Sequence, residues 1–374
     1  MAANITNNKS QKKIRFKIDH IDPLGQGVFK QDDQIYFIPK TLPGEEGIAR
    51  VIKTRKGVNF TEPPIELSTQ HPDRVSSQCQ FYQQCSGCHY LHMNYSKELS
   101  FKEAALRKHL QKVIESDQGI KIIFNDERFH YRNRIQLHYD KKRDKIGYIS
   151  TYTNQILDRP NCLLPLEEIS NKVAEIYQMN IQNLPVLDSK GHIEISYKDN
   201  RITETFNQAY SAGGFTQVNA KINNIMLEEV LNQIPSSSNI IELFGGDGNL
   251  TNDVNTSHQR LIIDFYTQPK KEAKNLSFLN LDLYDEKSLS IAKHHFDQNY
   301  ETLIIDPPRK GFPLIEKWIN TINPTKILYI SCNPATLGRD LKLIENKYQV
   351  ERVFLLDMFP GTSHFESFVT LLKK

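Results

Sequence analysis

Four short apolar runs recur in the C-terminal part of the chain, and no other feature limits its possible folds so tightly. They are NIIELF (239–244), RLIID (260–264), TLIID (302–306) and KILYIS (326–331), with helical or polar segments between them. Runs this short and this uniformly apolar read as strands buried on both faces. From about residue 216 the alternation of strand and helix predicts a parallel, doubly wound sheet, which binds ligands outside the carboxyl ends of its strands. VNAKINNIMLEEVLNQI supplies a helix ahead of the first strand. ERVFLLDMF and SFVTLLK supply two last strands and an antiparallel finish.

The strand ends carry the candidate chemistry. KILYIS stops at Ser331, Cys332, Asn333 and Pro334, and Ala335, Leu337 and Leu341 then follow helical spacing. A thiol at such a junction is either a nucleophile or a small buried hydrophobe. After the first strand, Phe244 leads into Gly245-Gly246-Asp247-Gly248-Asn249, where backbone without side chains can approach a ligand as a helix opens. The next strand ends in Asp264, whose carboxylate can accept hydrogen bonds from ribose hydroxyls. The pair suits an adenosine-containing ligand, S-adenosylmethionine (SAM) or a dinucleotide. Asp306 ends the third strand, and Pro307-Pro308 forms a rigid ledge behind it. In DMFPGTSHFES, His364 and Glu366 share a face of extended chain, which makes Glu366 a candidate general base.

The N-terminal half reads differently. Short alternating strands across residues 13–65, with turns at Gly25-Gln26-Gly27, Asp32-Asp33 and Leu42-Pro43-Gly44, suggest a small barrel. Lys53, Arg55 and Lys56 lie at one of its loops. Tyr95 to about Val113 reads as an amphipathic helix. Residues 126–215 mix strands with a helix near 167–180, and a turn at Lys198-Asp199-Asn200 joins HIEISY to RITETF.

Charge is uneven although the net value is only +3. Lysines and arginines crowd residues 1–20 and 128–145, the latter interleaved with Phe129, His130, Tyr131, His138 and Tyr139. Basic residues among aromatics suit phosphate contact and base stacking, or simply a solvated hairpin. Hydrophobic content is 39% and charged content 24%, no run is long enough to span a membrane, and the N-terminus has no apolar core. The expectation is a cytoplasmic protein, in which cysteines serve metals or catalysis more than disulfides.

Five cysteines are present. Cys79-x5-Cys85-x2-Cys88, with Gly87 easing the turn and Cys162 as a distant fourth, could hold a zinc ion or an iron–sulfur cluster. Cys332 is left over.

With these residues assembled, the chain resembles the class I SAM-dependent RNA uracil-5-methyltransferases along nearly its whole length. GQGVF, YFIP and LPGE resemble the RNA-binding TRAM barrel, an OB-like fold. CQFYQQCSGCHY with Cys162 is similar to the family's iron–sulfur motif, and YRNR to the start of its central domain. FTQVN, LFGGDGN, DPPRKG, SCNP and DMFPGTSHFE match the methyltransferase core in order. The resemblance implies an α/β chain with an OB-like (TRAM) barrel at 10–66. A central α/β iron–sulfur domain at 67–215 and a Rossmann-like methyltransferase domain at 216–374 follow, with helix 95–113 packing on the catalytic domain.

It implies Cys332 as nucleophile and Glu366 as base. Gln217, Phe244, Asn249, Asp264, Asp282 and Asp306 would contact SAM, and Cys79, Cys85, Cys88 and Cys162 would hold a [4Fe–4S] cluster. The family often has cysteine where Gly245 stands. The implied partner is RNA, 23S ribosomal RNA ahead of transfer RNA, acted on by a monomer. Thiolate addition at carbon 6 of uracil would make carbon 5 nucleophilic, and a helix N-terminus would lower the thiol's pKa. Methylation of cytosine by the same chemistry, zinc in place of iron, and a non-catalytic RNA-binding protein are the rival readings.

Overall fold

A computed structural model describes residues 12–209, 217–236, 238–251, 254, 259–265, 275–296 and 299–374. The chain forms two compact units. The first holds residues 1–101, 126–220 and 359–363, and the second holds residues 102–125, 221–358 and 364–374. Among the described residues no helix is long and apolar enough to cross a membrane.

The first unit begins with a curled seven-stranded sheet. Its strands are β1 (Lys13–Lys17), β2 (His20–Ile21), β3 (Gln26–Gln31), β4 (Gln34–Pro39), β5 (Glu46–Arg55), β6 (Val58–Thr61) and β7 (Glu66–Thr69). The order is β1-β5-β6-β4-β3-β2, with β7 also on β5. Strict alternation along β1 turns Ile14 and Phe16 inward onto Tyr36, Ile38 and Ala49. Asp32 and Asp33 both take left-handed φ, 49° and 58°, as the tight β3–β4 hairpin requires.

The cysteine loop follows, then α1 (Tyr95–Leu110). A second sheet is wholly antiparallel and ordered β11-β10-β9-β12-β13. Its strands are β9 (Arg134–Asp140), β10 (Lys145–Ser150), β11 (Gln155–Asp158), β12 (Lys190–Lys198) and β13 (Arg201–Phe206). The amphipathic α2 (Glu167–Gln178) buries Ile169, Val173 and Ile176 against Ile135, Leu137, Tyr139 and Ile146 of that sheet.

Much of the basic 128–145 stretch is committed inside the fold. Arg128 donates to Glu98 and to the carbonyls of Met93 and Tyr90, Arg134 pairs with buried Glu194, and Tyr131 and Tyr139 are core residues. Lys142 and Arg143 remain exposed. A local charge sum counts paired and solvated cations alike, so it overstates the basic surface of this stretch.

The second unit is built on an eight-stranded sheet, ordered β16-β15-β14-β17-β18-β20-β19-β8. Its strands are β8 (Ile120–Ile123), β14 (Ile240–Leu243), β15 (Arg260–Asp264), β16 (Leu276–Asn280), β17 (Thr302–Ile305), β18 (Lys326–Ser331), β19 (Tyr348–Leu356) and β20 (Glu366–Lys373). Only β20 runs antiparallel to its neighbours. The helices are α3 (Ala220–Gln233), α4 (Glu286–Ala292), α5 (Ile315–Ile322) and α6 (Pro334–Ile344). The four apolar runs are the centre of this sheet, as their composition predicts, and β20 makes the antiparallel finish. The core joins Ile241, Leu243, Leu303, Ile305, Ile327 and Tyr329 to Trp318 of α5, Leu341 of α6 and Leu106 and Leu110 of α1. Strand order reverses between β14 and β17, so a crevice opens at their carboxyl ends. Residues 247–251 are turns. The helix expected after Asn249 falls on residues 252–258, of which only Val254 is described.

Candidate active site and cysteine pocket

At the switch point the chain leaves β14 sharply. Phe244 takes φ 62°, in the left-handed region that non-glycine residues seldom adopt. Its ring packs on Phe312 at 5.0 Å and on Tyr284 at 5.5 Å. The Gly246 N–H donates to Asp264 Oδ2 at 2.9 Å, which ties the loop to the end of β15. A Cβ on Gly245 would stand 2.8 Å from Glu242 Cγ and from Ile262 Cγ2, so the turn needs glycine here unless Glu242 shifts. Beneath the loop, buried Glu242 accepts from Thr251 Oγ1 at 2.6 Å, while its other oxygen has no hydrogen-bond partner among the described residues. Burial, and then Asp306, push the Glu242 carboxyl up to about 8, although the Thr251 bond opposes the shift.

Asp306 follows β17 directly. Burial and the neighbouring Asp264 push its carboxyl up to about 7. The DPPRKG loop is clamped from α6. Asp340, fully buried, accepts from Phe312 N and Tyr329 Oη at 2.6 Å each, and Arg339 donates to Asp340 and to the Lys310 carbonyl. Gly311 has φ 70°, and a Cβ there would lie 2.5 Å from Asp340 Oδ2.

Cys332 follows β18. Asn333 caps α6 by accepting from Ala335 N at 3.1 Å, Pro334 fills the first turn, and Asn333 Nδ2 donates to the Arg309 carbonyl at 2.9 Å. The thiol is half-buried, and Glu366, the first residue of β20, is buried in the adjacent strand. The expected lowering of the thiol's pKa by the helix terminus does not survive these surroundings. Burial, then Glu366, then Asp306 push Cys332 up to about 11, and Arg309 opposes them. Glu366 lies well above the ordinary carboxylate range through burial and Asp306, again with Arg309 opposing. A thiol, two carboxyls and a guanidinium therefore act on one another at the ends of β17, β18 and β20.

The remaining SAM candidates stand at different places. Asp282 is exposed and accepts from Tyr284 N at 2.9 Å; Asn249 is exposed in the turn; Gln217 belongs to the first unit, where its carbonyl accepts from Asn133 Nδ2. The loop offers a ligand like SAM backbone without side chains at the glycines, a carboxylate on the second strand and the aromatic side chains of Phe244, Tyr284 and Phe312. On donor chemistry the crevice fits that cofactor.

In the first unit, Cys79, Cys88 and Cys162 join Tyr82, Leu91, Tyr131 and Leu164 in one apolar cluster. Burial raises the pKa of all three, and the four thiols of this loop, Cys85 included, act on one another electrostatically. Among the described residues no three His, Cys, Asp or Glu side chains stand ready-placed as a metal's ligands. Three features nonetheless fit a metal–sulfur group. The donor set is all thiol. Tyr148 Oη is buried and faces the Cys162 sulfur. Two cations, Lys40 and Arg132, feel these sulfurs, and no carboxylate pairs with either among the described residues. The same loop holds residues 359–363. His89 and Tyr90 N–H groups donate to the Gly361 carbonyl, and the Ser363 N–H donates to His89 Nδ1.

The sequence assigns no role to Arg309, Asp340 or Lys40, and counts Arg132 only as one cation of the basic 128–145 stretch. Arg309 and Arg132 sit inside quoted motifs, DPPRKG and YRNR, and could have been found there. Asp340 and Lys40 act through tertiary contacts that spacing does not reveal.

Comparison with known proteins agrees with this geometry. Residues 286–374 match the family model described as tRNA (Uracil-5-)-methyltransferase. A 23S rRNA (uracil(1939)-C(5))-methyltransferase RlmD from Shewanella woodyi is 24% identical, over 95% of this chain and 95% of its own. The Pasteurella multocida protein of the same name is 26% identical over 95% and 94%. The crystal structure of Pyrococcus abyssi tRNA (uracil-54, C5)-methyltransferase with S-adenosyl-L-homocysteine superposes with a TM-score of 0.72 at 20% identity, covering 96% of this chain and 99% of that one, and establishes the fold. Along nearly its whole length the chain is thus similar to proteins named as RNA uracil-C5-methyltransferases, and its residues 286–374 match the corresponding family model.

Proposed function

We propose that the protein methylates carbon 5 of a specific uridine in RNA, 23S ribosomal RNA in the first instance, through a covalent bond to Cys332. One observation carries the reading: Cys332, Glu366 and Asp306 act on one another at adjacent strand ends, beside a glycine loop suited to SAM. The names of the relatives that align end to end support ribosomal RNA as the substrate.

Carbon 5 of uracil is a weak nucleophile. The Cys332 thiolate forms a bond to carbon 6, and the ring electrons pass to the carbon 4 oxygen and carbon 5 as an enolate. Phe244, Asp264 and Asp306, with Gln217, Asn249 and Asp282 as further contacts, would hold SAM, whose sulfonium would give its methyl to the electron pair of carbon 5 and leave as the neutral thioether S-adenosyl-L-homocysteine. Glu366 as carboxylate then takes the proton from carbon 5, the electron pair re-forms the 5,6 double bond, and the sulfur leaves carbon 6. The raised affinity of Glu366 for protons suits a base that must accept one from carbon. Asp306 faces both groups and orients the ring edge or the cofactor.

A stacked uridine cannot meet the thiol, so the target is unpaired or flipped. Residues 10–66, as an OB-like barrel, and exposed cations such as Lys142 and Arg143 hold the flanking RNA. Cys79, Cys85, Cys88 and Cys162 hold an iron–sulfur cluster whose part is structural, because methyl transfer needs no electron. The enzyme works as a cytoplasmic monomer.

The test is mass analysis of nucleosides after incubation of unmodified 23S and transfer RNA with the protein and SAM. 5-Methyluridine in 23S RNA supports the reading. 5-Methyluridine in transfer RNA alone reassigns the substrate, 5-methylcytidine reassigns the base, and no methylated pyrimidine in either RNA overturns it.

A further inference from the structure

Lys40 is the most unusual charged residue of the first unit. It follows β4 with φ 61°, and its side chain is fully buried. A left-handed lysine is a strained backbone choice, and a buried ammonium is costly unless compensated. Its Nζ donates to the Tyr82 carbonyl and, at 2.6 Å, to the Cys85 carbonyl, and it lies 4.3 Å from the Tyr82 ring centroid and 5.2 Å from that of Tyr152. Carbonyls and ring faces stabilise an ammonium but do not neutralise it. Among the described residues no carboxylate reaches it. The anionic groups that can reach it are the sulfurs of the loop its donors clasp. Arg132, whose Nε donates to the Tyr131 hydroxyl at 3.4 Å, feels Cys88 and Cys162, so the two cations share Cys88 and between them meet all four sulfurs.

We propose that Lys40, delivered from the N-terminal barrel, is a positioning residue for the cysteine-held metal group, fixing the Tyr82–Cys85 turn by hydrogen bonds and, with Arg132, balancing the charge of the ligated sulfurs. The inference rests on the reading of the four cysteines as ligands. Four thiolates around a core of charge 2+, whether one zinc ion or an oxidised [4Fe–4S] unit, carry two net negative charges. Lys40 and Arg132 carry two positive ones. The barrel is then part of the metal site: the residue that follows β4 helps decide whether the loop beginning 39 residues further on, at Cys79, keeps its metal.

Two substitutions separate charge from shape. Lys40→Met keeps the length and removes the charge; Lys40→Arg keeps the charge and alters the shape. Full-length wild type and both variants are purified without oxygen. Iron and zinc per chain, and the rate of metal loss to a chelator, are then measured. Lys40→Met is expected to lose metal on the order of tenfold faster than wild type, with Lys40→Arg close to wild type. Equal rates in wild type and Lys40→Met overturn the role of Lys40 and leave the cysteine site standing. Retention by Lys40→Met with loss by Lys40→Arg makes it a packing residue and also overturns the proposal. A wild-type protein that holds neither metal removes the cysteine reading and this inference with it.

Discussion

The protonation of Cys332 gives the sharpest prediction, because the structure reverses the usual expectation for a catalytic thiol. Burial and the two carboxyls that face it push the thiol up from 9.0 to about 11. At pH 8 about one molecule in a thousand then carries the thiolate, against about one in ten for an unperturbed thiol. A more basic thiolate is also more nucleophilic, and a Brønsted slope of about 0.4–0.5 recovers roughly tenfold of that hundredfold deficit. Alkylation of Cys332 by iodoacetamide at pH 8 should therefore run about tenfold slower than for a free cysteine, before any loss to restricted access. Its rate should climb about tenfold per pH unit past pH 9, without a plateau there. Peptide mapping by mass spectrometry isolates Cys332 from the other four cysteines. Glu366→Gln should move the inflection downward, because it removes the first-named of the two facing charges. A wild-type plateau below pH 8, or no movement in Glu366→Gln, would refute the reasoning.

Further predictions follow from the same interactions. Arg309→Met should move the Cys332 inflection upward and slow RNA methylation, since this guanidinium opposes the shift at both Cys332 and Glu366; the alkylation profile and initial rates check it. Glu242 binds its proton more tightly in the folded state, so stability should be greatest below its ordinary value of 4.5 and fall as pH rises toward about 8. The fall is at most about 1.4 kcal/mol per pH unit, and Glu242→Gln should flatten it in urea-unfolding midpoints taken from pH 5 to 8. Lys102 and Asp357 form a fully buried ion pair at 2.6 Å. Lys102→Met should destabilise the second unit by about 3–5 kcal/mol by leaving a buried charge alone, with much of the loss recovered in the double variant Lys102→Met/Asp357→Leu; denaturant unfolding measures both.

The catalytic half of the fold was legible because it obeys strong local rules. Uniform apolarity marks β14, β15, β17 and β18, and polar residues mark where each strand stops. Because parallel strands align their carboxyl ends, reading those stops amounts to reading the crevice. Cys332, Asp306 and Asp264 were found that way. Glu366 was harder, because it opens an antiparallel strand, and its burial comes from that strand lying between β18 and β19 rather than from its neighbours in sequence. Strand β8 was missed: it is four residues long, and its partner β19 lies more than 200 residues away.

The pKa of Cys332 could not be read at all. A helix terminus is visible in SCNP, but the two opposing carboxyls come from other strands, and their sum decides the sign. The burial of part of the 128–145 stretch was hidden for a related reason, since Glu98 and Glu194, which pair with Arg128 and Arg134, lie far off in sequence.

The covalent role of Cys332 is the centre of the account, and Glu366→Gln tests it most directly. Without a base to remove the carbon 5 proton, the sulfur cannot leave the methylated ring. Incubated with SAM and unmodified 23S RNA, this variant should accumulate a protein–RNA complex that survives denaturing electrophoresis. After digestion, mass spectrometry should place a methylated uridine on the peptide carrying Cys332. A Glu366→Gln protein that turns over normally with no such adduct, or an adduct on another residue, would contradict it.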